Sequence, residues 1–380
     1  MQKILGLLLI LVIASFTAAQ EDISFPPYVA VVNSTQVVYV DGDVVTPVDL
    51  GVTEITRVLS FTWSDDGHYL AVSFISDGYY QLVVTDFERI IPISESLSTI
   101  PPMFDGDVLL YVQITEDFSS FEVYQKPMDS EAVYLGTLDY EACGGGQSTP
   151  MHLAYYREID TGGIFERALP GMVYQTSSCP NTAGASVFSL TMGSSIEIPS
   201  VGFSPRAISP DGLFVVGVNT TGELQILDLE SQEFSTLETS LPVDQVTWVE
   251  EGLYFSTWTE IDSDFGLTEE ELAQLDTEWQ VVPSSAHQSA IYQIQPDGSG
   301  ETLLLEDYAW AIARLNIIDG QLFYSSIENA DGFLRLVLED GIEPAFEAGV
   351  STELNCFSLD PDLACPEAVT ASMYAFRPRA

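Results

Sequence analysis

The feature that most limits what this chain can fold into is a repeat. A polar turn ending in glycine is followed, several times over, by a short run of apolar residues. Ser64-Asp65-Asp66-Gly67 leads into Tyr69-Leu70-Ala71-Val72, Ser209-Pro210-Asp211-Gly212 leads into Leu213-Phe214-Val215-Val216, and Ile318-Asp319-Gly320 leads into Leu322-Phe323-Tyr324. Related copies centre on Gly106, Gly171 and Gly252. Such a turn set against apolar runs of strand character marks a hairpin. Successive turn glycines lie 39, 65, 41, 40 and 68 residues apart. Three of these intervals fit one four-stranded unit of about 40 residues, and the other two fit the same unit plus roughly 25 residues.

Each unit reads as strand A, the turn, strand B, a loop, strand C, a turn and strand D. Gln81-Leu82-Val83-Val84-Thr85-Asp86, Leu224-Gln225-Ile226-Leu227-Asp228 and Ile291-Tyr292-Gln293-Ile294 are the clearest copies of strand C. A seventh copy opens at Pro27-Tyr28-Val29-Ala30-Val31-Val32 with no strand A of its own. The expected fold is all-β, a single β-propeller of seven four-stranded blades. Ser372-Met373-Tyr374-Ala375-Phe376 is expected to supply the missing strand and close the ring, because an open ring would leave two exposed edges. The propeller domain is expected to run over 20–380, with insertions at about 139–163 and 260–287 and a closing tail at 350–380.

Ser209-Pro210-Asp211-Gly212-Leu213-Phe214-Val215-Val216, ending at Leu227-Asp228-Leu229, resembles the repeat of TolB-type and WD40-like propellers. Trp63-Ser64-Asp65-Asp66-Gly67-His68-Tyr69-Leu70-Ala71 is similar to it. The propeller of the dipeptidyl-peptidase family, which is not its catalytic domain, uses the same repeat. The resemblance spans nearly the whole chain after its first segment. It implies a fold and leaves the activity open.

Residues 1–19 read as a signal peptide: Lys3, then an apolar run over 4–16, then small residues at Thr17 and Ala19 before Gln20. The run is short for a membrane-spanning helix. The chain is therefore expected outside the cytoplasm, secreted or periplasmic, with no membrane association once the leader is removed. Asp and Glu total 57 against 11 Lys and Arg, a formal charge of −46. Such a surface repels nucleic acid. A monomer is expected.

An even number of cysteines in an exported chain suggests disulfides. Cys143 is expected to pair with Cys179, and Cys356 with Cys365. The spacing that zinc requires is absent. In a meander, D-to-A and B-to-C connections share one rim, and A-to-B and C-to-D turns share the other. Both insertions, Cys179 and the tail are expected on the first of these rims, which makes it the candidate binding surface. Within the second insertion, Thr268-Glu269-Glu270-Glu271 reads as a capping box opening a short helix towards Trp279.

Catalytic and cofactor signals are weak. There is no G-x-S-x-G, and His68, His152 and His287 are far apart in sequence. Asp262-Ser263-Asp264-Phe265-Gly266 is out of register for a calcium loop, which leaves room for weak calcium binding only. No cofactor is expected. Asn33 and Asn219 sit in glycosylation sequons. These features point to a binding or scaffold module for a protein, peptide or glycan. The alternative is a propeller glycoside hydrolase or lyase that uses rim carboxylates.

Overall fold

The repeated turn is built by its own side chains. The Ser64 hydroxyl donates to Asp66 Oδ1 (2.7 Å) and accepts from the Tyr69 N–H (2.8 Å), while Asp66 Oδ1 also accepts from the His68 N–H (2.9 Å). Ser209, Asp211, Leu213 and Phe214 repeat the arrangement at 2.6, 2.9 and 3.1 Å. Gly67 and Gly212 sit at φ +65° and +70°, where a side chain is strained. Serine and aspartate thus satisfy backbone groups that the reversal takes out of the ladder.

These turns sit in a computed structural model that describes residues 25–378 apart from 33–34, 95–100, 116–119, 139–152, 157–170, 176–184, 190–192, 199–201, 262–278, 283–285, 308, 329–332, 339–340, 345–351, 362 and 372. All regular structure among the described residues is β. It forms a single β-propeller. The described strands make seven four-stranded antiparallel sheets and one of three strands.

Strand A lies at one edge of each four-stranded sheet, in order A-B-C-D. The second sheet runs Arg57–Trp63, Leu70–Ser76, Tyr79–Thr85 and Ile90–Ser94. The third runs Met103–Asp105, Val108–Ile114, Phe121–Pro127 and Val133–Leu138. The fourth runs Leu153–Tyr156, Gly171–Gln175, Ala185–Ser189 and Ser194–Ile198. The fifth runs Ser204–Ile208, Phe214–Val218, Leu224–Asp228 and Phe234–Leu237. The sixth runs Val243–Val249, Gly252–Ile261, Ala286–Ile294 and Thr302–Asp307, and the seventh Ala309–Ile318, Gln321–Glu328, Thr352–Ser358 and Val369–Thr370. The first sheet joins Tyr28–Val32, Gln36–Asp41 and Val44–Pro47 to the tail strand Tyr374–Phe376.

The core lies between faces of consecutive sheets. Val29, Val31 and Val37 of the first sheet meet Val58, Leu70 and Val72 of the second. Ala71 and Val84 of the second meet Leu109 and Tyr111 of the third. Val216 and Ile226 of the fifth meet Val246 and Phe255 of the sixth. Phe323 and Leu354 of the seventh meet Tyr28 and Tyr374 of the first, and that layer closes the ring.

The closing strand behaves as expected. Tyr374 lies opposite Ala30, and Phe376 opposite Tyr28, in an antiparallel ladder. The Trp63 indole N–H of the second sheet donates to the Ala375 carbonyl (3.1 Å), and Arg314 Nη1 of the seventh donates to the Tyr374 carbonyl (2.7 Å). Arg377 then donates through Nε to the Gly67 carbonyl (2.8 Å), with its guanidinium over the rings of Trp63 and Tyr39 at 5.5 and 5.8 Å. The tail is thus gripped by three sheets.

Three expectations need correction. Within the expected insertion 139–163, Leu153–Tyr156 is strand A of the fourth sheet, paired Leu153↔Tyr174 through Tyr156↔Gly171. Part of the extra length, 157–170, therefore lies in sequence between strands A and B of that sheet, not before strand A as expected. The tail, expected over 350–380, begins later. Thr352–Ser358 is strand C of the seventh sheet, paired with Gln321–Glu328, and Val369–Thr370 is its strand D. The runs Phe333–Leu338 and Gly341–Pro344, which resemble strands C and D in sequence, instead form a hairpin outside the ring. Apolar period alone does not distinguish a ring hairpin from an inserted one, since it reports strand character and not the partner strand. Finally, Trp279, expected close to a helix, opens the strand Trp279–Val282. The expected helix start at Thr268 lies outside the described residues.

Candidate functional site

Two regions stand out. The first is the channel enclosed by the A strands. Near its A-to-B end, a cavity of about 670 Å³ is walled by the second, fifth, sixth and seventh sheets and by the tail. The last residues of the second sheet's strand A, Phe61 to Trp63, and the turn residue Asp319 place it at that end. Its lining is partly aromatic, with Phe61, Trp63, Tyr374 and Phe376, and it carries Arg206, Arg314 and Arg377.

The three arginines have different surroundings. Arg377 is the clasp described above. Burial holds the Arg206 guanidinium below its ordinary value, and the nearby Asp244 carboxylate works against that. Burial raises Asp244 in turn, with Arg206 opposing. Burial also lowers Arg314. Its charge is met by the Tyr374 carbonyl at 2.7 Å, and among the described residues it has no carboxylate at ion-pair distance. The Tyr374 phenol, pushed up to about 12 chiefly by burial, accepts from Asn316 Nδ2 (3.2 Å). An arginine remains charged throughout the physiological range, so this end of the channel is cationic. Sequence reasoning passed over these residues. The available signal was scarcity: the chain has nine arginines, and three converge here.

The second region is the rim of D-to-A and B-to-C connections. The excursion between strands B and C of the sixth sheet contributes Trp279–Val282, and the corresponding excursion of the seventh contributes Phe333–Leu338 and Gly341–Pro344. The two excursions pair, Trp279↔Leu336 through Val282↔Phe333, into the three-stranded sheet. The sixth and seventh sheets thus share a structure that lies outside the seven four-stranded sheets.

The residues singled out from sequence are dispersed. Cys356 and Cys365 form a disulfide with Cα atoms 5.5 Å apart. The bridge ties strand C of the seventh sheet to its C-to-D loop, so it lies on the A-to-B rim and not on the rim expected. Gln321 Nε2 donates to the Ala364 carbonyl (2.7 Å) across that same edge. Cys143, Cys179, His152, Asn33 and the acidic loop at Asp262 lie outside the described residues. His68 is exposed at its turn against the Tyr69 ring (4.6 Å), and His287 is buried, stacked on Trp258 (4.4 Å). Asn219 uses its Oδ1 to accept from the N–H groups of Thr221 and Glu223, both at 2.9 Å, within a turn. Among the described residues no group of three metal-ligating side chains gathers, and no helix is long and apolar enough to cross a membrane.

No protein-family model matches the chain. No curated protein matches it either. Solved structures do. A protein described as a candidate 6-phosphogluconolactonase from Bacteroides fragilis is 11% identical, covers 94% of this chain and 97% of its own, and has a TM-score of 0.49. TolB from Acinetobacter baumannii is 14% identical over 72% of this chain and 61% of its own, at 0.40. Sqt1 from Saccharomyces cerevisiae is 10% identical over 88% and 92%, at 0.47. Similarity this distant carries no argument about this chain. The propeller assignment rests on the strand pairing above.

Proposed function

We propose that the chain is an exported binding or scaffold module. A ring of seven blades, one for each four-stranded sheet, presents a partner surface on the rim of D-to-A and B-to-C connections. The pairing of Trp279–Val282 with Phe333–Leu338 carries this reading. Two excursions from adjacent blades converge on one platform, and long connections on a rigid scaffold are where binding surfaces are usually built. The disulfide between Cys356 and Cys365 and the leader-like residues 1–19 support export. The formal charge of −46 favours a protein or peptide partner with a cationic face, bound more weakly as salt rises.

The test compares the wild-type chain with one in which residues 263–285 are replaced by a short Gly-Ser link. A partner recovered on the immobilised wild type is titrated against both by surface plasmon resonance at 50 and 300 mM salt. Loss of binding by the linked chain, with its melting temperature kept, supports the reading. Equal binding by both chains would overturn it. So would hydrolysis of a glycoside by the purified protein that a rim Asp or Glu substitution abolishes.

A further inference from the structure

The cationic channel end is out of character for this molecule. With only 11 Lys and Arg against 57 acids, a random cavity should be lined by carboxylates. Instead three arginines line this one, and Asp319 is the one acidic residue among the described residues that line it. Two of the three already have counterparts. Arg377 is spent on the Gly67 carbonyl, the Tyr39 hydroxyl and two aromatic faces. Arg206 faces Asp244. Arg314 differs: of its guanidinium nitrogens, Nη1 makes the one hydrogen bond found among the described residues, to the Tyr374 carbonyl. A guanidinium offers five N–H donors in a fixed fork, and a desolvated charge is costly unless it is paired. The structure would be better balanced with an anion in the cavity.

We propose that the channel binds a small organic anion, a carboxylate or phosphate ester on an apolar or aromatic body. Arg314 takes the oxyanion and Arg206 adds positive potential. A planar guanidinium matches both oxyanions in bidentate fashion. Phe61, Trp63 and Phe376 give the body of the ligand an apolar wall. The volume, about 670 Å³, falls within the range of small-molecule sites. The long-range field of a −46 protein repels anions, so selectivity comes from contact inside the channel. This site lies at the opposite end of the ring from the proposed partner surface and stands on separate observations.

The test titrates the purified chain by calorimetry with phenyl phosphate, benzoate, inorganic phosphate and benzyl alcohol. Saturable binding of phenyl phosphate or benzoate is expected, none of benzyl alcohol, and inorganic phosphate at least tenfold weaker than its phenyl ester. Arg314→Gln should weaken the bound anion at least tenfold, while Arg89→Gln, which removes a surface guanidinium, should leave it unchanged. If Arg314→Gln fails to fold, Arg314→Lys keeps the charge and loses the fork, and at least a threefold loss is expected. Which of the two organic anions binds tells phosphate from carboxylate. No binding of any anion by folded wild type, or full affinity in a folded Arg314 variant, would overturn the proposal. Inorganic phosphate binding as tightly as phenyl phosphate would overturn the organic part of it. None of these outcomes touches the partner surface on the other rim.

Discussion

The two rims of this ring are built on different principles. The A-to-B rim carries turns whose side chains satisfy their own backbone, as Ser64 and Asp66 do, and Ser209 and Asp211 again. It also carries the Arg377 clasp and the Cys356–Cys365 bridge. The D-to-A and B-to-C rim carries a sheet that belongs to no single blade. The first rim carries these fastenings, and the second carries the additional sheet. Stability and elaboration are thereby separated in space, and substitutions on the two sides should have very different consequences.

The largest effect is expected at the tail strand. Tyr374 is fully buried between the first and seventh sheets, and its strand completes the first sheet. Tyr374→Ala should cost about 3–5 kcal/mol, the range for a large aromatic lost from a packed core, read by urea denaturation. A cost below about 1 kcal/mol would mean that the ring does not depend on this strand, and the fastening rim would lose its main support. The disulfide comes next. Its loop has a sequence separation of 9. Replacing both Cys356 and Cys365 by alanine should cost about 2–3 kcal/mol by loop-entropy reasoning.

A smaller effect is expected at the turn. Ser64→Ala removes the hydroxyl that holds Asp66 and the Tyr69 N–H, for about 1 kcal/mol at neutral pH. The hydrogen bond from Ser64, followed by that from the His68 N–H, holds the Asp66 carboxyl below its ordinary value of 3.8. A carboxylate lowered in the folded state stabilises above its unfolded pKa, and that contribution fades as pH falls through the folded one. The gap between wild type and Ser64→Ala should therefore be wider at pH 6 than at the acid end of the folded range. A gap that does not change with pH would assign the loss to the Tyr69 N–H alone.

How much of this was legible follows the same division. The repeat was readable because its turns are local: Ser209, Pro210, Asp211 and Gly212 fix a reversal within a few residues. Tyr374 closing the ring could be inferred because the first unit lacked a strand. The seventh unit misled because Phe333–Leu338 has the pattern of a ring strand, and only its long-range partner, Trp279–Val282, shows that it is not one. The channel went unnoticed for a related reason. Arg206 and Arg314 lie 108 residues apart, and nothing local says that their strands line the same hole.

The smallest effect is expected on the elaborated rim, and it tests the comparison most directly. Residues 253–261 pair with Ala286–Ile294 throughout, ending at Ile261↔Ala286. The segment between them thus leaves and re-enters the ring at two residues that already face each other. Replacing 263–285 by a short Gly-Ser link turns a long excursion into a hairpin connection. It removes Trp279–Val282, an edge strand of the three-stranded sheet, and leaves every strand of the seven four-stranded sheets in place. Shortening a loop lowers its closure entropy slightly, which offsets part of whatever contact is lost. The linked chain should unfold within about 0.5 kcal/mol of wild type, as surface changes away from a core usually do. A loss as large as that from removing the disulfide would show that the additional sheet braces the sixth and seventh blades, and that the two rims share the work of holding the ring.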